Sequence, residues 1–136
     1  PTQFTTAHGV YAHEDHIYVA NRGAHKVMKF TPEGKLVESL KGIPKGSLVC
    51  NVAYLAKHFF FCPLTKVGNM KSAPIYAHSG NKLVSTIIPG ELNIPVLNNI
   101  HHAWPHYVTT NGEKHLYLLV HAWNKGKFAV LKHVVK

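Results

Sequence analysis

Short runs of apolar residues, each about five long and broken by Gly, Pro, Asn or Asp, recur along the chain. The clearest set lies between His8 and Leu40: Gly9–Ala12, His16–Ala20, Lys26–Thr31 and Lys35–Leu40. These runs carry Val, Ile, Tyr and Phe, which suit a pleated and half-buried surface, so they predict β-strands rather than helix. Between the last two, Pro32-Glu33-Gly34 marks a turn: Pro presets φ, and Gly takes a positive φ at little steric cost. Four strands at this spacing predict one antiparallel meander sheet.

The layout then repeats. After a Gly/Pro-marked connection over Lys41–Leu48, runs follow at Val49–Ala56, His58–Leu64, Pro74–His78 and Leu83–Ile88. Ser79-Gly80-Asn81-Lys82 stands where Pro32–Lys35 stood in the first unit. Beyond Pro89–Pro95 come Ala103–Thr109, His115–Trp123 and Lys127–Val134, and the third unit is expected to lack its outer strand. The units cover about residues 8–41, 49–89 and 100–135 of a single domain, a period of roughly 40–47 residues that falls in the range of propeller blades. No stretch keeps apolar residues at i, i+3, i+4, i+7 without Gly or Pro intruding, so an all-β chain is expected.

Composition narrows the class. The length of 136 residues allows a real core, and 46% apolar with 15% charged residues excludes a disordered chain. No apolar run approaches the ~18–20 residues of a membrane-spanning helix. The net charge of +9 comes almost wholly from lysine, Arg22 being the one arginine, and it favours an anionic polymer as partner. Pro1 stands where an initiator Met would be, which suggests a processed, trimmed or longer chain in a secreted or extracellular setting. Cys50 and Cys62 are the two cysteines. A hairpin turning near Lys57-His58 would bring them close enough for a disulfide, while two buried thiols are the equal alternative.

His8-Gly9-Val10, then Ile17-Tyr18-Val19-Ala20-Asn21-Arg22, His25-Lys26-Val27 and Phe30-Thr31-Pro32-Glu33-Gly34-Lys35, together resemble an NHL repeat of six-bladed β-propellers. The whole chain resembles the C-terminal three blades of peptidyl-hydroxyglycine amidating lyase-like propellers, the first unit most specifically. The resemblance implies half of a ring. Three blades leave two apolar faces without neighbours, well above the few hundred Å² a monomer tolerates. A homo-oligomer, either a two-fold dimer or an open assembly, or a separate N-terminal half would cover them.

In such a ring the first strand of each blade lines the axis, so its opening residues carry the candidate chemistry. The unit openings Ala7-His8-Gly9-Val10, Val49-Cys50-Asn51-Val52 and His101-His102-Ala103-Trp104 nominate His8, Cys50 and His102 as metal ligands, with His101 and His106 as neighbours along the axis. Imidazole nitrogen and thiolate suit zinc, and three protein ligands plus water is the usual open arrangement. In the lyase family the opening histidines bind an axial zinc; Ala7 and His101 replace that family's Pro, and its catalytic Tyr and Arg belong to the half that is missing here. The competing role for these histidines is to cap strand ends by hydrogen bonds to backbone. Arg22, within Asn21-Arg22-Gly23, resembles the Arg common at this turn of NHL blades, and the resemblance implies that its planar fork bridges neighbouring units. No HExxH helix, carboxylate pair, Ser/His/Asp set or phosphate loop is present. The expected function is a self-assembling interaction module. The alternatives are a metal-dependent lyase-like enzyme completed on assembly, and single-stranded RNA binding on a basic face.

Overall fold

A computed structural model describes residues 4–94, 97–123 and 127–134. Its eleven strands form three antiparallel sheets of four, four and three strands. The first sheet runs β1 (Ala7–His13), β2 (His16–Asn21), β3 (Lys26–Phe30) and β4 (Leu36–Ser39), in that order. The second runs β5 (Val49–Leu55), β6 (His58–Pro63), β7 (Ile75–Ser79) and β8 (Lys82–Ile87). The third contains β9 (Ile100–Thr110), β10 (Glu113–Ala122) and β11 (Phe128–Lys132). Each is a meander in which strands consecutive in sequence pair antiparallel. The all-β expectation holds: the helical pieces among the described residues are two 3-10 turns, Arg22–Ala24 and Pro89–Leu92. Neither is long or apolar enough to cross a membrane.

The second sheet is the middle layer. Tyr18, Ala20 and Val27 of the first sheet pack against Val49, Val52, Phe59, Phe61 and Tyr76. On its other face, Ala53, Phe60, Cys62 and Ile75 meet Ile100, Ala103, Leu118 and Val120 of the third sheet. A strand buried on both faces reads as a continuous apolar run, and His58-Phe59-Phe60-Phe61-Cys62 shows that pattern. Among the first strands, β5 lies against both β1 and β9. Pro105 is tolerated inside β9 because β9 is an edge strand of its sheet.

The two cysteines are free and buried. Cys62 stands opposite Asn51 rather than Cys50, and donates its thiol hydrogen to Asn51 Oδ1 at 2.6 Å. The disulfide alternative therefore gives way to two thiols.

One buried group sets an acid limit on this core. His78 on β7 is fully buried, packs edge-on to Phe61 at 4.9 Å, and has neither ring nitrogen hydrogen-bonded among the described residues. Burial lowers its pKa from 6.5, because an uncompensated charge is costly there. The unfolded chain then takes up the proton first, so stability is complete above pH 6.5 and falls as the pH drops through the lowered folded value. Substituting His78→Phe is expected to flatten that decline by up to about 1.4 kcal/mol per pH unit. Urea unfolding of both proteins at about pH 7.5 and about pH 5 measures it. Equal losses of stability in the two proteins would clear His78 of the effect.

Candidate metal centre

The first strand of each sheet carries an irregularity at the same place. In β1 the pairing steps from Ala7 opposite Asn21 to Gly9 opposite Ala20, leaving His8 unpaired. In β5 it steps from Val49 opposite Pro63 to Asn51 opposite Cys62, leaving Cys50 unpaired. In β9 it steps from Ile100 opposite Ala122 to His102 opposite His121, leaving His101 unpaired. A bulge of this kind bends the strand and re-aims one side chain. The three re-aimed residues converge: a ligand atom from each of His8, Cys50 and His101 lies within 4.8 Å of the other two.

Close backbone approach makes the convergence possible. A Cβ on Gly9 would stand 2.5 Å from the Cys50 carbonyl oxygen and 2.7 Å from Asn51 Cα, so β1 can ride on β5 only with glycine there. His8 Nδ1 is 3.0 Å from that same carbonyl. A carbonyl can only accept, so Nδ1 carries the hydrogen and Nε2 keeps a free lone pair, the tautomer a metal-binding histidine needs. The backbone-capping role expected for His8 is thus real and compatible with ligation. On the far side, Asn51 joins β5 to β9: its Oδ1 accepts from Ala103 N at 3.3 Å and its Nδ2 donates to Ala103 O at 3.4 Å.

The donors sit in a weakly solvated, positively biased environment. His101 Nε2 is buried with no hydrogen-bond partner among the described residues, while its ring lies 4.6 Å from His8 and 4.8 Å from Trp123. Burial lowers the His101 pKa, and His8, His102, His121 and Arg22 lower it further. It is therefore neutral and available as a ligand at neutral pH. Burial raises the Cys50 thiol, against which the Arg22 guanidinium pulls downward. A divalent cation would displace the thiol proton, as metals do at thiol ligands.

Of the residues nominated from sequence, His8 and Cys50 are brought together, and the third member is His101 rather than His102. His102 is exposed, pairs with His121 and stacks loosely on Trp104 at 6.3 Å between ring centroids. His106 is exposed on the outward face of β9, opposite Tyr117. Arg22 anchors its turn through its backbone, which donates to Thr6 O at 2.8 Å, while its side chain acts on Cys50 and His101. Arg22 thus belongs to the surroundings of the site, which the turn motif alone does not reveal. Trp123 is 63% exposed and covers His101; the remainder of the turn expected at 123–126 lies outside the described residues. Aligning Ile100 with Val49 and Ala103 with Val52 would have identified His101 from sequence. The chain matches no protein-family model and none of the curated proteins with which it was compared.

Proposed function

We propose that the chain is part of a β-propeller whose axial opening binds a zinc-class divalent cation through His8, Cys50 and His101. One observation carries the reading: three bulges at equivalent positions bring ligand atoms of two imidazoles and a thiol within 4.8 Å of one another, and His101 Nε2 is buried with no hydrogen-bond partner among the described residues. An unsatisfied buried nitrogen needs an explanation, and a cation supplies one. The order of strands supports the propeller part, since β1, β5 and β9 each begin a meander and lie side by side. A nitrogen–nitrogen–sulfur donor set suits zinc, and three protein ligands leave a fourth place for water or a substrate oxygen. Bound there, the ion would supply Lewis-acid polarisation of that oxygen. The residues of this chain do the rest. His8 is held in its tautomer by the Cys50 carbonyl, Trp123 covers His101, and Arg22 adds fixed positive charge beside the thiol.

Cobalt(II) titration tests this, because thiolate ligation gives a charge-transfer absorption band. Wild type is expected to show that band at one ion per chain. Cys50→Ala should abolish it although Cys62 remains, and His8→Ala or His101→Ala should weaken binding more than about tenfold. His102→Ala should leave it unchanged. A band surviving Cys50→Ala, or His102→Ala proving as damaging as His101→Ala, would overturn the assignment.

A further inference from the structure

The second and third sheets part towards their outer strands, and a cavity of about 350 Å³ lies between them. Its origin is the strand count. The second sheet has four strands and the third has three, so β8 has no strand across from it among the described residues. The floor is the face of the second sheet that carries Phe60 and Ala77, extended by Ser85 and Ile87 of β8. Leu116 and Leu118 of β10 and Leu131 of β11 form the roof. Ala77 and Ser85 are short, and short side chains between sheets about 10 Å apart leave room for one alkyl chain. The volume falls in the range of small-molecule sites, about 300–1,000 Å³.

The two ends of the cavity differ in chemistry. Ile87 and Leu92 line the cavity alone, whereas His58, Leu116 and His133 also line a larger depression that adjoins it. That depression adds Tyr107 and Lys114, with the Lys114 ammonium 4.1 Å from the centre of the Tyr107 ring. The one carboxylate there, Glu113, is engaged by His115 at 3.5 Å. No carboxylate lines the cavity itself among the described residues. Val84, Leu92 and Val134 of its lining are 46%, 54% and 69% exposed, so apolar surface is left in water around it.

We infer that this groove binds a single-chain amphiphile with an anionic head, of the medium-chain fatty carboxylate class. The tail lies between Phe60 and Leu118 and runs towards Ile87 and Leu92, and the carboxylate meets Lys114. The lining selects the tail, because an alkyl chain replaces water against Leu, Ile and Phe without leaving a polar group unpaired. Charge selects the head: a carboxylate complements the Lys114 ammonium, whereas a cationic head would be repelled by it and find only the engaged Glu113. None of His8, Cys50 and His101 lines the groove, so it is separate from the metal centre.

Isothermal titration calorimetry with hexanoate, octanoate and decanoate, each below its micellar concentration, tests this on the full chain. One site per chain is expected, with affinity rising about fourfold for each added methylene. Ser85→Trp puts an indole into the groove from an exposed position on β8. It should lower decanoate affinity more than about tenfold with unchanged circular dichroism. Lys114→Met should lower decanoate affinity about tenfold and leave that of decanol unchanged. Cys50→Ala should bind decanoate like wild type, so a failed groove and a failed metal centre are told apart. Equal binding by wild type and Ser85→Trp would overturn the inference, as would affinity independent of chain length, the mark of a basic surface collecting anions. Binding to anionic phospholipid vesicles with none to monomeric decanoate would assign the face to a membrane and overturn it. Decanoate affinity that falls as protein concentration rises would do the same, by showing a second copy in the groove.

Discussion

Gly9→Ala is expected to lower stability by about 3 kcal/mol, because the added methyl meets backbone rather than a side chain that could move. Its nearest neighbours would be the Cys50 carbonyl oxygen at 2.5 Å and Asn51 Cα at 2.7 Å. Relief requires β1 to separate from β5, and His8 leaves Cys50 in the process. The same substitution should therefore cost cobalt affinity as well as folding free energy. Gly34 supplies the comparison. It has a positive φ of 84°, and a Cβ added there would meet nothing within 4 Å. Gly34→Ala should thus cost only the conformational penalty of about 1–2 kcal/mol and leave the His8-Cys50-His101 grouping unchanged. Denaturant unfolding and cobalt titration on both variants measure the contrast. Equal behaviour of the two would mean that β1 and β5 do not touch through their backbones.

Asn51→Ala is expected to cost about 2–4 kcal/mol, since it strips partners from groups sealed away from water. Asn51 is 2% exposed and serves three of them: the Cys62 thiol, Ala103 N–H and Ala103 C=O. No neighbouring side chain replaces an amide that both donates and accepts across two sheets. Hydrogen exchange gives a local readout that a general loss of packing would not. The Ala103 amide should exchange much faster in the variant, relative to amides inside β6 and β7. If its protection is unchanged when stability is matched by denaturant, the bridge between β5 and β9 is not what holds the two sheets in register.

These two residues also mark where sequence reading stops. Gly9 and Asn51 sit among apolar neighbours with nothing in their own chemistry to show a structural demand. Their importance comes from strands more than forty residues away, Cys50 for Gly9 and Ala103 for Asn51. The slip between His102 and His101 has a similar origin. Side chains alternate with period two along a strand, so one inserted residue changes which member of a His-His pair faces His8 and Cys50. A bulge changes pairing without altering composition, and only the partner strand, with His121 opposite His102 and Ala122 opposite Ile100, reveals it.

What the chain states on its own is local. Runs of β-branched and aromatic residues separated by Pro, Gly and Asn set the strands, their turns and their grouping as four, four and three, because those preferences act within a few residues. The two cysteines and the opening histidines are visible as chemistry, without their partners. Tertiary structure decided the free state of the two thiols, the grouping of His101 with His8 and Cys50, and the electrostatic pull of Arg22 on the Cys50 thiol. Each depends on distances between separate sheets, and no periodicity along one strand encodes how closely another strand approaches it.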